Sequence, residues 1–334
     1  MTSSVPVPAS VPDASPALSL EQGADLARRI HAAVAARIVG QDAVIEDALV
    51  TFLARGHLLI EGVPGTAKTL LVRALAGALG VKFSRIQFTP DLMPADVTGV
   101  SMLRDPSVGF EFRPGPVFTD ILLADEVNRA PAKTQAALLE AMAERQVTVD
   151  GVTHPLDASF TVFATQNPVE HEGTYPLPEA QLDRFLLKAV MGYPSHEAEL
   201  AMLASHEGGF DPEQVTAIVA PVVGVAEVRG LRRLVDRVRV APEIQDYIAR
   251  ITRGTRGEAS ISLGASPRAT VALMRAARAA ALLEGRDYVV PDDVKGRVHA
   301  VLRHRITLAP ELEVEGRTVE SVVDSVVSRV AVPE

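Results

Sequence analysis

The residues with the clearest chemical potential lie between Gly62 and Thr69, directly after the apolar run 57–61. They fit the phosphate-loop pattern G-x-x-x-x-G-K-[ST], except that Ala67 occupies the second glycine position. In this pattern backbone N–H groups and the lysine hold phosphate groups, while the last hydroxyl holds Mg²⁺. The pattern therefore assigns Lys68 to the β- and γ-phosphates and Thr69 to the metal ion.

The residues after the loop carry apolar side chains at helical spacing up to Leu79. A helix that begins at the loop would direct its N-terminal dipole at the phosphates. The alternative is a Gly/Pro turn between a strand and a helix, because chance matches to a loose pattern are common. The residues predicted to bind nucleotide here are Gly62, Pro64, Gly65, Thr66, Ala67, Lys68, Thr69 and Leu70.

Two acids end the next strongly apolar run, residues 121–126. A continuous apolar run is typical of a buried parallel strand, and ligands bind at the carboxyl edge of such sheets. Asp125 would hold Mg²⁺ through water, and Glu126 would orient and deprotonate the attacking water. The alternative is a strand that meets a solvated helix cap, which the phosphate loop upstream argues against.

An amide side chain follows another predicted strand, residues 160–165. On a strand beside that of Asp125, Asn167 could hydrogen-bond both the γ-phosphate and the attacking water. An Asn-Pro turn is the alternative for this residue. Between the acids and Asn167, the pattern predicts a helix at 130–145 and a hairpin around Asp150-Gly151.

The composition limits the possible functions of the 334 residues, a length that predicts two domains. The chain contains no cysteine, which excludes disulfides and thiolate catalysis and is compatible with a reducing compartment, so we expect a cytoplasmic location. A net charge of −9 gives no basic footprint for nucleic acid. The chain contains no run of about 18 apolar residues, so we expect no integral membrane segment.

The second half of the chain is predicted to be a helical lid. Pro194 is a hinge-like break, and the helices are expected at 195–207, 227–238, 242–253, 267–283 and 291–304. We therefore divide the chain into a disordered tail (1–17), an α/β nucleotide-binding domain (18–194) and an α-helical lid domain (195–334). At the fourth helix, Ser266 is the expected cap, Pro267 takes the first position and Arg268 lies in the first turn. An arginine there opposes the helix dipole, so stability alone would not select it.

Taken together, these motifs resemble the MoxR family of the AAA+ ATPases. The matching segments are 39–41, 61–69, 85–92, 125–130, 164–168, 179–185 and 264–269. They extend over nearly the whole chain after the first 17 residues. The resemblance implies an AAA+ fold of a parallel sheet between helices plus a lid, with an insert at 89–117 and a hairpin at 146–156 before the strand of Asn167.

The same resemblance implies an activity and further site residues. It implies Mg²⁺-dependent ATP hydrolysis in a ring of identical subunits, six in number, and chaperone-like remodelling or maturation of partner proteins, often with a von Willebrand A domain protein. Gly40 and Gln41 join the nucleotide-binding residues. Arg184 corresponds to an arginine finger facing the neighbouring subunit's nucleotide, and Arg268 to a second sensor supplied by the lid.

Three other functions remain open. A DNA motor of the same clade would need basic hairpins, and the predicted insert has only two arginines against two acids between Val97 and Arg113. The stripe of Arg229, Arg233 and Arg237 is more typical of a solvated helix face, because acids lie close by and stacking aromatics are absent. The second alternative is the ATPase subunit of a metal chelatase. The third is a nucleotide-gated scaffold without catalysis, which Asp125 and Glu126 argue against.

Overall fold

A computed structural model describes residues 18–105, 109–167, 174–209 and 219–333. The predicted tail, Pro168 and three residues of the predicted insert lie outside these ranges. The helices are α1 (Leu20–Ala35), α2 (Asp42–Leu53), α3 (Lys68–Leu79), α4 (Pro94–Thr98), α5 (Ala132–Glu144), α6 (Glu179–Leu182), α7 (His196–Glu207), α8 (Val225–Arg237), α9 (Pro242–Gly254), α10 (Pro267–Leu283), α11 (Pro291–Leu302), α12 (Pro310–Val314) and α13 (Val319–Arg329). The strands are β1 (Leu58–Gly62), β2 (Phe83–Gln87), β3 (Gly99–Asp105), β4 (Gly109–Pro114), β5 (Ile121–Asp125), β6 (Gln146–Val149), β7 (Val152–Pro155), β8 (Thr161–Gln166), β9 (Leu187–Met191), β10 (Ile261–Leu263) and β11 (Thr307–Leu308).

The main sheet has five parallel strands in the order β2-β5-β8-β1-β9. Strand β5 is apolar up to its final residue, Asp125, and β8 is apolar at residues 162–164. Both strands are almost completely buried, as expected for parallel strands covered on both faces. The register places Gln87 opposite Asp125 and Glu61 opposite Gln166. All four residues are at or next to the ends of their strands, so the functional segments that follow meet at one edge of the sheet. The predicted parallel α/β sheet is confirmed.

Two apolar cores cover the two faces of this sheet. On one face, α5 packs on a core that includes Phe88, Leu122 and Phe160. On the other, α1, α2 and α3 share a core with the helices of the second half. Ile30 of α1 and Leu273 of α10 are both completely buried in this second core. Apolar burial of this kind, not a linker, joins the lid helices to the sheet, and the boundary at residue 194 stays a prediction.

Two antiparallel hairpins project from the sheet. The predicted insert contains α4 and the hairpin β3–β4, and the predicted Asp-Gly hairpin is β6–β7. Asp150 and Gly151 both have positive φ, 50° and 79°, which is the geometry of the tight turn that Asp-Gly favours. His154 of β7 stacks on Phe112 of β4 with 3.8 Å between ring centroids, so the two hairpins contact each other.

The lid helices largely match their predicted positions, and α10 matches at both ends. Ser266 caps α10 by accepting the N–H of Arg268 at 3.1 Å, as predicted. The sequence pattern missed the strand pair β10–β11 and the helices α12 and α13. Within the described ranges, no helix is long and apolar enough to cross a membrane.

Candidate active site

The loop between β1 and α3 forms a backbone cradle at the carboxyl edge of the sheet. Gly65 has a φ of 82°, and a side chain added there would meet nothing within 4 Å, so the loop faces open space. Ala67 lies in the left-handed region, with φ 66° and ψ 25°. The second glycine position of the pattern therefore demands a left-handed residue, and alanine adopts this conformation at a cost. Successive N–H groups at such a turn, followed by the N-terminus of a twelve-residue helix, suit a phosphate group.

Lys68 folds back over the loop that carries it. Its Nζ atom donates to the carbonyl oxygens of Gly62 at 2.5 Å and of Val63 at 2.9 Å. Thr66 Oγ1 donates to the same Val63 carbonyl at 2.9 Å. These bonds fix the loop's curvature and keep the ammonium group at the mouth of the cradle, within reach of a bound polyphosphate.

A cavity of about 540 Å³ lies above the loop, a size typical of small-molecule sites. Of the predicted nucleotide, metal and catalytic residues, its lining includes Gln41, Pro64, Gly65, Thr66, Ala67, Lys68, Thr69, Leu70, Asp125, Glu126 and Asn167. Ile38 and Val39 add apolar surface, and α7 contributes Met202, Ser205 and His206 from the opposite side. The cavity therefore combines a polar phosphate end with a mixed end that suits a base and sugar.

Gly40 and Gln41 shape this cavity in different ways. Gly40 has a φ of 75°, and a side chain there would lie 2.8 Å from Cβ of Ala198, so α7 packs directly on its backbone. Gln41 Nε2 donates to the carbonyl of Gly192 at 3.1 Å, just before Pro194. Of these two residues only Gln41 lines the cavity; Gly40 and Gly62 support it from outside the lining.

Asp125 is buried at the end of β5, and both of its carboxylate oxygens have donors. Oδ1 accepts from Thr165 Oγ1 at 2.5 Å, while Oδ2 accepts from Thr69 Oγ1 at 3.3 Å. The guanidinium group of Arg85 on β2 also donates to Oδ2, through Nη2 at 2.7 Å and Nε at 3.2 Å. A carboxylate and a threonine hydroxyl in contact are a ligand set that Mg²⁺ accepts, and here they compete with an arginine for the same oxygen.

Glu126 follows in a strained conformation, with φ 56° and ψ 49°. A hydrogen bond from the N–H group of Glu126 to Thr165 Oγ1 at 2.8 Å stabilises this left-handed conformation. Its Oε2 atom accepts from Gln87 Nε2 at 2.7 Å and forms an ion pair with Arg129 Nε at 3.0 Å. The left-handed turn directs the carboxylate into the cavity, where Gln87 and Arg129 limit its orientations.

Asn167 lies directly after β8, between the strands of the phosphate loop and of Asp125 in the sheet order. It is 5% exposed and lines the same cavity as Lys68 and Glu126. Burial of an amide at this edge is compatible with a polar ligand contact, and the role of Asn167 stays a prediction because Pro168 lies outside the described ranges.

Arg184 and Arg268 are not part of this cavity. The apolar run 185–190 predicts a strand that begins at Arg184, but this residue lies in the turn between α6 and β9, because β9 starts only at Leu187. Its Nη1 atom donates to the carbonyl of Leu139 on α5 at 2.8 Å. Arg268 is exposed in the first turn of α10, whose cap Ser266 donates to Asp183 at 2.8 Å. The two arginines therefore belong to one neighbourhood outside the chain's own phosphate loop.

Sequence reasoning missed several residues that surround the acids. Arg85 and Gln87 are two apart on β2, beside the acidic strand, so their side chains share a face that points at Asp125 and Glu126. That spacing was a usable signal. Thr165 and the α7 residues Met202, Ser205 and His206 gave no comparable signal, because only the tertiary arrangement brings them to the cavity.

Comparison with known proteins agrees with this fold. Residues 57–187 match the ATPase family associated with various cellular activities (AAA), and residues 253–326 match the AAA lid domain. Over 296 residues the chain is 51% identical to the protein YeaC of Bacillus subtilis, covering 89% of this chain and 91% of the relative. It is 44% identical over 306 residues to Chaperone MoxR1 of Mycobacterium tuberculosis, covering 89% and 80%. A crystal structure of a proposed ATPase from Cytophaga hutchinsonii has a TM-score of 0.86 at 40% identity and covers 94% and 97%.

The matched domains and the fold define a nucleotide-binding ATPase of the AAA class with its lid. Within that class, the chain belongs to the MoxR family of AAA+ ATPases. The resemblance drawn from the motifs is thus confirmed for the family and for the fold.

Proposed function

We propose that the chain hydrolyses ATP in the presence of Mg²⁺ and uses the energy to remodel a partner protein. The observation that carries this proposal is the convergence of Lys68, Asp125 and Glu126 on one cavity with Asn167. They come from three neighbouring strands, β1, β5 and β8, of a single sheet edge. A nucleotide scaffold without catalysis would not need an acid pair in this position.

Each residue has a distinct role in the proposed reaction. Lys68 and the loop N–H groups bind the β- and γ-phosphates, and Glu126 orients the attacking water and accepts its proton. Asn167 contacts the γ-phosphate and that water. Thr69 and Asp125 would hold Mg²⁺, which neutralises charge that develops on the phosphate oxygens. Leu70, Ile38 and Val39 line the pocket without taking part in proton transfer.

The proposed active site is shared between subunits. Transition-state charge on the γ-phosphate needs a further cation beside Lys68. Arg37 and Arg73 also line this chain's own cavity, whereas the proposed finger Arg184 and second sensor Arg268 do not. The turn that carries Arg184 and the start of α10, which carries Arg268, are joined by the bond from Ser266 to Asp183, so a neighbouring copy can supply both arginines. A repeated contact of this kind closes into a ring, which we propose to contain six subunits.

The partner is proposed to be a protein or protein complex, as the name Chaperone MoxR1 suggests for a relative. The hairpin β3–β4 exposes apolar side chains at its outer end, with Phe110 76% and Leu103 55% exposed. These side chains could contact an apolar segment of a client. A von Willebrand A domain protein is the proposed co-chaperone, and this part of the proposal rests on the family alone.

Two variants test the proposed hydrolysis. Lys68→Ala should abolish ATP binding, because it removes the cation that meets the phosphates. Glu126→Gln should retain ATP and lose turnover by about 10²-fold or more, because only proton acceptance is lost. Calorimetry measures binding and phosphate release measures turnover. Equal loss of ATP binding in both variants would contradict the roles, and a pull-down with the Glu126→Gln protein would reveal the client.

A further inference from the structure

The carboxylate of Asp183 is bonded by two separate parts of the lid. Its Oδ1 atom accepts from Arg305 Nε at 2.7 Å, and its Oδ2 atom accepts from Ser266 Oγ at 2.8 Å. Asp183 directly precedes Arg184 in the turn between α6 and β9. One side chain therefore connects the turn that carries Arg184 to residues following α11 and to the start of α10.

Arg305 anchors this turn firmly. Its side chain is 3% exposed and also donates to the carbonyl of Leu186 at 3.0 Å, of Asp183 at 3.3 Å and of Phe185. The next contact along the chain, Thr307 Oγ1 to Glu179 Oε1 at 2.9 Å, fixes the start of α6. Residues 179–186 are consequently held along their length by a short lid segment, and they cannot shift without moving the lid.

Ser266 transmits the same constraint to Arg268. Its hydroxyl donates to Asp183 and accepts the N–H of Arg268 at 3.1 Å, so one oxygen both caps α10 and ties it to the turn. The charge of Asp183 is balanced by Arg305, and within the described ranges neither Arg184 nor Arg268 forms an ion pair, although Arg184 Nη1 donates to the carbonyl of Leu139. A single aspartate thus links the two backbone segments that carry Arg184 and Arg268.

We infer that Asp183 positions Arg184 and Arg268 as one unit, so that both arginines reach the phosphates of ATP bound to an adjacent copy of the chain. The inference rests on the proposed function, because it assumes ATP hydrolysis at a subunit boundary. Asp183 and Ser266 are positioning residues and do not touch the nucleotide themselves. Their loss should therefore reproduce the defect of losing the arginines while the chain's own phosphate loop stays intact.

Ser266→Asp is the sharpest variant. Aspartate is a good N-cap, so α10 keeps an acceptor at its first turn, but a second carboxylate now faces Asp183 and breaks the tie. Asp183→Asn removes the charge that pairs with buried Arg305 and is the second variant. Thr318→Asp is the matched control, because Thr318 caps a different helix, α13, in the same way by accepting from the N–H of Ser321 at 3.2 Å.

The first measurement compares ATP affinity with turnover. We expect Ser266→Asp and Asp183→Asn to bind ATP within about threefold of the unchanged protein and to lose turnover about tenfold or more, since arginine fingers contribute at least that much to rate. Thr318→Asp should match the unchanged protein in both. Thermal unfolding of each variant confirms that the assay temperature lies below its transition.

The second measurement mixes variants. Glu126→Gln subunits lack only the water-activating group, so their arginines can serve a Ser266→Asp neighbour that has an intact Glu126. In an equimolar mixture, random assembly completes about one quarter of the boundaries, and turnover should return towards that fraction of the unchanged value. Mixing Ser266→Asp with Arg184→Ala should restore nothing, because both lack the contribution made to a neighbour.

The outcomes separate this inference from the proposed function. Recovery with Glu126→Gln and none with Arg184→Ala supports positioning by Asp183. Recovery with Arg184→Ala instead, or lost ATP binding in a folded Ser266→Asp protein, would overturn it. If the unchanged protein does not hydrolyse ATP, the proposed function is wrong, and the inference that rests on it is wrong as well.

Discussion

Arg85 and Asp125 form an ion pair at the edge of the sheet, with 2.7 Å between Nη2 and Oδ2. The same oxygen accepts the hydroxyl of Thr69, and these two side chains are the proposed Mg²⁺ ligands. Arg85 is about half exposed on the edge strand β2, whereas the Asp125 side chain is 10% exposed. The exposed Arg85 side chain can therefore move, whereas the buried Asp125 carboxylate is fixed. A metal ion that binds Asp125 must either displace Arg85 or bind the carboxylate together with it.

This pair predicts that Arg85→Met increases the affinity for Mg²⁺ measured with ATP present, by about 3- to 10-fold, because a competing cation of a partly exposed pair is removed. In the absence of Mg²⁺ the same variant should unfold at a lower temperature, since Asp125 loses its partner. Magnesium titrations by calorimetry and thermal unfolding measure the two effects. Arg113→Met, on exposed β4, removes an equal charge as a control, and an equal shift in both variants would contradict competition at Asp125.

Ala67 predicts a gain in stability when it is replaced by glycine. At φ 66° an alanine is strained by about 1–2 kcal/mol, which exceeds the entropy that glycine adds to the unfolded chain. Ala67→Gly should raise the free energy of unfolding by about 0.5–1 kcal/mol in urea titrations. Ala249→Gly, inside helix α9, should lower it by a similar amount. A loss in both variants would show that the loop conformation is not strained.

Replacement of Arg232 should cause a large loss of stability, because this arginine lies on the buried face of α8 beside Leu231 and Val235. It is 4% exposed, donates to the carbonyl of Phe52 at 2.9 Å and lies 4.2 Å above the Phe52 ring. Burial, together with the nearby charges of Arg55 and Arg145, lowers its pKa to about 9. Arg232→Leu would remove the bonds that Arg232 donates to the carbonyls of Phe52, Ala158 and Ser159. It would also remove the guanidinium group from the Phe52 ring, and the loss should cost about 3 kcal/mol. Arg237→Ala, on exposed surface of the same helix, should change the free energy of unfolding by less than about 0.5 kcal/mol.

His57 predicts a loss of stability in mild acid. Its Nδ1 atom accepts the N–H of Val162 at 2.9 Å, so the folded protein holds the ring neutral. Burial, with a smaller effect from Arg145, lowers the pKa of His57 to about 3. As the pH falls below about 6.5, the unfolded chain binds a proton that the folded chain does not, which removes about 1.4 kcal/mol of stability per pH unit until the pH nears the folded pKa.

The contribution of His57 is thus fully present above its unfolded pKa and lost below it. His57→Asn keeps an acceptor for Val162 and cannot take up the proton. Urea unfolding between pH 7 and pH 4.5 should show a shallower decline for the variant than for the unchanged protein. Identical declines would mean that His57 is already protonated in the folded state.

The sequence predicted the sheet and most of the site because these depend on local patterns. The apolar run that ends at Asp125 and the loop around Lys68 each indicate where a strand ends. A parallel sheet brings the carboxyl ends of its strands together at one edge. The predicted start of β9 was wrong by a few residues. The apolar pattern begins at Phe185, whereas the strand begins at Leu187. The side chain of Arg305 donates to the carbonyl of Phe185 in the turn after α6, a contact between distant segments that the apolar pattern does not reveal.

Contacts between distant segments could not be read from the chain. The stripe of Arg229, Arg233 and Arg237 drew attention to α8, yet the buried arginine is Arg232, whose partners lie 180 residues away. Periodicity identifies the apolar face of a helix but does not reveal that a cation will be inserted beside it. The sequence pattern predicts Ser266 as a helix cap, but it does not reveal that its hydroxyl group donates to Asp183.

The central claim is that one subunit hydrolyses ATP with an arginine from its neighbour, and mixing two inactive proteins tests it most directly. Glu126→Gln lacks the water-activating group and Arg184→Ala lacks the proposed finger, so neither should release phosphate alone. At equimolar mixing, about one quarter of the boundaries should contain an intact Glu126 from one chain and an intact Arg184 from the next. Phosphate release that recovers towards this fraction is the predicted result. If light scattering shows mixed rings and no mixing ratio restores turnover, Arg184 does not act across the boundary and the shared-site account is wrong.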